Sequence, residues 1–139
     1  MKDSKAKTFS VTLRVPFHHL DPMHVVWHGN YFQYFEAARD GLFNSADIDF
    51  LAFYSQTGLL FPVIRISAKY IRPLRYKDEF VCTARIVEAK RKIVVDYEIR
   101  LLPDNILCTT GQSEQVAMKM PDLEIEFEIP QKIRKALEV

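Results

Sequence analysis

The side chains able to do chemistry are concentrated in one stretch, HHLDPMHVVWHGNYFQYFEAARDGLF, from His18 to Phe43. All the histidines of the chain, His18, His19, His24 and His28, lie here with Asp21 among them. A metal site is one reading. His24 and His28 are four apart, but the intervening residues are VVW and the helical pattern begins only after His28, so this is not the H-E-x-x-H of a zinc hydrolase. His18 and His19 are neighbours and would point to opposite faces of a strand. No metal is expected, and His18, His19 and His24 read as loop residues. A serine or cysteine nucleophile is a second reading. There is no G-x-S-x-G, and Cys82 and Cys108 lie in strand patterns far from any histidine, so both read as core. What remains is Asp21, in an Asp-Pro turn just ahead of VVW and a helix start. From spacing alone it is either a turn residue or a reactive carboxylate.

The elements that must position it follow from periodicity. Phe9, Val11, Leu13, Val15 and Phe17 alternate, which predicts a strand that Asp21-Pro22 has ended. Tyr31, Tyr34, Phe35, Ala38 and Leu42 follow helical spacing, with Asn30 as N-cap and Gln33 three residues on, as in a capping box. DFLAFYSQTG predicts a further helical turn or two, ending near Gly58. Strand faces follow at Pro62 to Tyr70, Phe80 to Val87 and Ile93 to Leu101. A last long strand is expected from Ile106 to Met118, with Gly111 marking a bend or a close backbone approach. Pro130 opens a short terminal helix. An α+β fold results, an antiparallel sheet wrapped around one long helix.

Composition agrees with one domain over residues 1–139: 48% hydrophobic and 27% charged residues are globular proportions. The net charge of +1 gives no drive toward nucleic acid or a membrane surface. Two distant cysteines, no secretory h-region at the N-terminus and no apolar run of membrane-spanning length point to a reducing cytoplasm.

LDPMHVVWHGNYFQYFEAAR resembles the signature of the hotdog-fold acyl-CoA thioesterases, especially 4-hydroxybenzoyl-CoA thioesterase and the related Tol-Pal-associated branch. Phe17, Asp21, Val25, Val26, Trp27, His28, Asn30, Tyr31 and Glu36 occupy its places. The resemblance implies that the helix is enclosed by the sheet. It also implies a homodimer at least, often a homotetramer, joined edge to edge with the active site at the dimer interface. The expected substrate is an acyl-CoA, with no cofactor beyond the CoA that the substrate itself carries.

Those residue types suit the reaction. A thiol, with a pKa of about 8.5, leaves as thiolate with little help. Asp21 would attack the thioester carbon or activate a water. His28 occupies the place whose backbone N–H binds the carbonyl oxygen, where the positive end of the helix dipole lies. Asn30 would orient this turn, and Tyr31 would line an acyl pocket or pack in the core. Glu36 is a minor candidate. The basic turn Lys90, Arg91 and Lys92 is either a solvated hairpin or a candidate site for the CoA phosphates, with Arg72 and Arg75 as second-rank candidates. An acyl-carrier-protein thioesterase and a non-catalytic acyl-thioester binding module are the alternatives on the same fold.

Overall fold

The computed structural model describes residues 7–137. The reading of the first residues as free of a leader, and the last two residues of the terminal helix, lie outside that range.

β1 (Thr8–Arg14) leads through two short turns into the long helix α1 (Tyr31–Ser45), followed by α2 (Phe50–Thr57). The strands β3 (Val63–Tyr70), β4 (Glu79–Glu88), β5 (Ile93–Leu101) and β6 (Ile106–Gln115) come next, and α3 (Gln131–Leu137) is last. The main sheet has the order β1-β4-β5-β6-β3, and every pairing in it is antiparallel. This is the α+β hotdog architecture, with α1 laid across one face.

Alternation puts the core on that face. Phe80, Cys82, Ala84 and Ile86 of β4 and Ile93, Val95, Tyr97 and Ile99 of β5 are buried under Tyr34, Phe35, Ala38 and Leu42 of α1. The Phe35 ring stacks on Tyr97, centroids 4.4 Å apart and planes 10° apart. A Cβ on Gly111 of β6 would collide with that Phe35 ring, so the helix approaches the sheet where a side chain is missing. α2 begins at Asp49, whose carboxylate accepts the Ala52 N–H at 3.1 Å, and ends at Gly58 in the left-handed region, φ 76°.

Three expectations change. β1 ends at Arg14, and Phe17 instead opens a 3₁₀ turn, Phe17–His19, with its ring exposed. The strand expected over Ile106 to Met118 stops at Gln115, because the Val116 N–H turns to the Pro62 carbonyl. Met118 and Lys119 form β7, which joins β2 (Leu59–Leu60) and β8 (Glu124–Ile125) in a small second sheet that the hydrophobic pattern did not reveal. The capping box is also absent. Residues His28–Asn30 form a 3₁₀ turn that enters α1 early, so Asn30 already has helical dihedrals and makes no cap bond. Among the described residues no helix is long and apolar enough to cross a membrane.

Candidate active site

Asp21 is held by its own turn. Its backbone N–H donates to the Val25 carbonyl at 2.8 Å, and its carbonyl accepts the His24 N–H at 2.9 Å. Its carboxylate Oδ1 accepts the Met23 N–H at 2.8 Å and the Val25 N–H at 3.4 Å. His24 takes the left-handed conformation needed to close so tight a loop, φ 67°. The loop is anchored on both sides. The Val26 N–H reaches the Leu74 carbonyl, and the Trp27 N–H reaches the His19 carbonyl, each at 2.9 Å.

Two open grooves meet at Asp21. One, of about 300 Å³, runs past Met23, Val25, His28, Tyr70, Ile71 and Arg72. The other, of about 530 Å³, is bordered by Phe17, His18, His24, Arg75 and Tyr76, with the Phe17 and Tyr76 rings in edge contact at 5.6 Å. A carboxylate at the junction of two grooves can reach the carbonyl of a substrate whose halves extend in both directions.

The second component is the helix entry. Among the described residues no protein acceptor takes the backbone N–H of His28 or of Gly29, whereas the Asn30 N–H is used by the Trp27 carbonyl at 2.9 Å. Helical N–H groups point back toward the N-terminus, which here is the side of the Asp21 loop. The donors thus narrow to His28 and Gly29. The missing Cβ of Gly29 lets the half-exposed Trp27 ring pack over this turn. The His28 side chain is exposed and edges toward Tyr70.

The remaining candidates sort by position. Both ends of the Asn30 side chain serve the protein. Nδ2 donates to the His19 carbonyl at 3.0 Å, and Oδ1 accepts from Gln33 Nε2 at 3.1 Å. It ties the turn to the loop rather than offering itself to a substrate. Tyr31 is a core residue, 3% exposed, whose hydroxyl accepts the Leu74 N–H at 3.2 Å, so it forms the floor of the groove. Burial pushes its phenol pKa up.

Lys90 and Arg91 lie far from Asp21 within this chain. They lie at the β4–β5 turn, the opposite end of β4 from the Asp78 carbonyl that receives the Val15 N–H beside the site. Ten strand residues separate those ends, roughly 30 Å at about 3.3 Å per residue. Arg91 covers the Phe127 ring at 4.6 Å, and Lys92 pairs with Glu114 at 2.8 Å. The basic side chains that the fold brings to Asp21 are instead Arg72 and Arg75, one in each groove. Glu36 pairs with the buried Arg39 and lines neither groove. The histidines do not converge. His19 Nδ1 shares a hydrogen bond with the Tyr34 hydroxyl at 2.7 Å, and among the described residues no three His, Cys, Asp or Glu side chains cluster as ligands. Tyr70, which alternation marked only as a strand residue, is the groove residue that the sequence pattern missed.

The chain is similar to known proteins over most of its length. It is 29% identical over 132 residues to a protein of Synechocystis sp. whose name proposes an esterase, covering 94% of this chain and 79% of that one. Its fold matches a 1,4-dihydroxy-2-naphthoyl-CoA thioesterase from Synechocystis with TM-score 0.85 and 21% identity, over 94% of this chain and 95% of that one. It also matches a 4-hydroxybenzoyl CoA thioesterase variant in complex with 4-hydroxybenzoyl CoA, with TM-score 0.85 and 17% identity, over 96% and 100% of the two chains. The family model of the thioesterase superfamily matches residues 23–108, from Met23, two residues after Asp21, into β6. The chain belongs to the thioesterase superfamily and is a hotdog-fold thioester hydrolase.

Proposed function

We propose that the protein hydrolyses an acyl-CoA thioester to a free acid and CoA. The observation that carries this reading is the pairing of the Asp21 carboxylate, at the junction of two grooves, with the uncommitted N–H groups of His28 and Gly29. Asp21 supplies the nucleophile or the general base. The two N–H groups receive the carbonyl oxygen as it gains charge, and one such donor is worth about 10²–10³ in rate. Arg72 and Arg75 are placed to meet the anionic parts of the substrate.

The functional unit is a homodimer at least. In the main sheet β3 is an edge strand, with Val63, Ile64 and Tyr70 exposed along it and Ile71 just beyond. An unpaired apolar edge invites a second strand, and the same strand in a second copy would cover it. Such pairing would also shield the Tyr70 side of the groove. Light scattering after gel filtration distinguishes monomer, dimer and tetramer.

Release of free thiol from a panel of short, long and aromatic acyl-CoAs, matched against acyl-carrier-protein thioesters, tests the activity and the carrier together. Asp21→Asn is expected to abolish most turnover. Full activity in that variant would refute the assignment of Asp21, and tight CoA binding without turnover across the whole panel would make the protein a binding module instead. Single-turnover hydrolysis in ¹⁸O-water tests the nucleophilic route in one direction: label in the Asp21 carboxylate shows an acyl-Asp21 anhydride opened by water at the Asp21 carbonyl, whereas label only in the product acid fits general-base hydrolysis or opening at the acyl carbon.

A further inference from the structure

We infer that Tyr70 is a positioning residue for the carbonyl-binding turn and acts through the His28–Gly29 peptide. The inference rests on the thioesterase reading of that turn.

Tyr70 closes β3, on a different element from the turn and 42 residues away from it. Its hydroxyl donates to the His28 carbonyl oxygen at 2.8 Å. The same oxygen receives the Tyr31 N–H as the turn passes into α1. The only cis peptides among the described residues precede Pro103 and Pro121, so the His28–Gly29 peptide is trans. In a trans peptide the C=O and N–H point in opposite directions within one plane. A donor fixed on the oxygen therefore fixes the direction of the Gly29 N–H. It also polarises that N–H, since linked hydrogen bonds strengthen one another by about 10–30%.

The phenol is itself held in place. Its ring meets the buried Tyr31 ring edge-on at 4.9 Å and the His28 ring at 6.5 Å. Burial pushes the Tyr70 pKa up from the ordinary phenol value of about 10, so the hydroxyl carries its proton at neutral pH. A phenylalanine would make the same ring contacts. What the hydroxyl adds is a link from the edge strand to the peptide plane that presents an N–H to the substrate. Because its proton is already given to His28, Tyr70 does not touch the reacting carbonyl.

The test compares Tyr70→Phe with the unaltered chain in three measurements. These are kcat and KM on the best acyl-CoA, the Kd of a CoA thioether that mimics the ground state, and the Kd of a CoA trifluoromethyl ketone that takes up the tetrahedral form. The expected result is a kcat lower by about tenfold, less than the roughly 10²–10³ of a donor lost outright. KM and thioether binding stay unchanged, and ketone binding weakens by the same factor as kcat. An unchanged kcat overturns the inference, and so does equal weakening of both analogues, which would make Tyr70 a plain binding residue. Asp21→Asn separates this outcome from failure of the underlying reading. Turnover that is lost in Asp21→Asn but intact in Tyr70→Phe removes the Tyr70 role alone. A wild-type chain that releases no thiol removes both.

Discussion

Asn30 donates from Nδ2 to the carbonyl oxygen of His19, 3.0 Å away, and joins the entry of the helix to the 3₁₀ turn that precedes Asp21. The same carbonyl receives the Trp27 N–H, so one oxygen gathers both sides of the loop. Asn30→Ala removes this bond and the exposed one from Gln33, which contributes little, without opening the Trp27 bond. Loss of stability by about 1 kcal/mol is expected, the ordinary worth of one hydrogen bond. The fall in kcat is expected to be larger, about 10- to 100-fold, because a displacement of about 1 Å at a reacting centre costs up to 10². Thermal melts and thiol release on the same sample compare the two losses.

Asp21 has a structural duty beside the chemical one proposed for it. Oδ1 closes the turn onto the Met23 N–H, and an amide oxygen can do the same. Asp21→Asn and Asp21→Ala should therefore lose a similar share of kcat, about 10²–10⁴-fold. Only the alanine variant should melt lower, by about 1 kcal/mol. Equal melting temperatures in the two variants would show that the turn does not depend on this acceptor.

Stability should fall on mild acidification. The His19 imidazole is held below the ordinary histidine range, first because burial penalises its charged form and then because His18 lies beside it. A folded value below the unfolded one means that the unfolded chain takes up the proton first as pH drops. The contribution is complete above about pH 6.5 and is lost as pH falls below that value. The melting temperature should decline between about pH 7.5 and about pH 5.5, and His19→Gln should flatten that slope.

Neither thiol should react in the folded protein. Burial pushes Cys82 up to about 12 and raises Cys108 as well, and both side chains are fully enclosed. Since the thiolate is the reactive form, a disulfide reagent such as Ellman's should report no free thiol until the protein is denatured. Prolonged exposure of the native chain to the reagent should leave activity intact. Rapid labelling of the native chain would contradict this packing.

The sheet and helix were legible because their periods run uninterrupted. Phe80, Cys82, Ala84 and Ile86 alternate in sequence and are all buried, and Gly111 stands where Phe35 crosses the sheet. Local chemistry misled where several outcomes share one pattern. Asn30 and Gln33 have the spacing of a capping box, yet the 3₁₀ turn at His28–Asn30 shifts the helix entry and turns the same two side chains toward each other. Lys90 and Arg91 look like a phosphate site on any hairpin, and only the length of β4 shows how far from Asp21 they lie within one chain. Arg72, Arg75 and Tyr70 gather around Asp21 through strand pairing far along the chain, as in the bridge between Val25 and Arg75, and no local period records such contacts. The second sheet escaped for a similar reason. Two of its strands are Leu59–Leu60 and Met118–Lys119, too short for alternation to be read.

Trp27 is the single tryptophan of the chain, half-exposed, with its ring over Gly29 and 5.1 Å from the His28 ring. The protein therefore carries its own optical reporter at the turn proposed to meet the substrate. Intrinsic fluorescence reads occupancy and solvent exclusion there with no label attached and no second indole to obscure the signal.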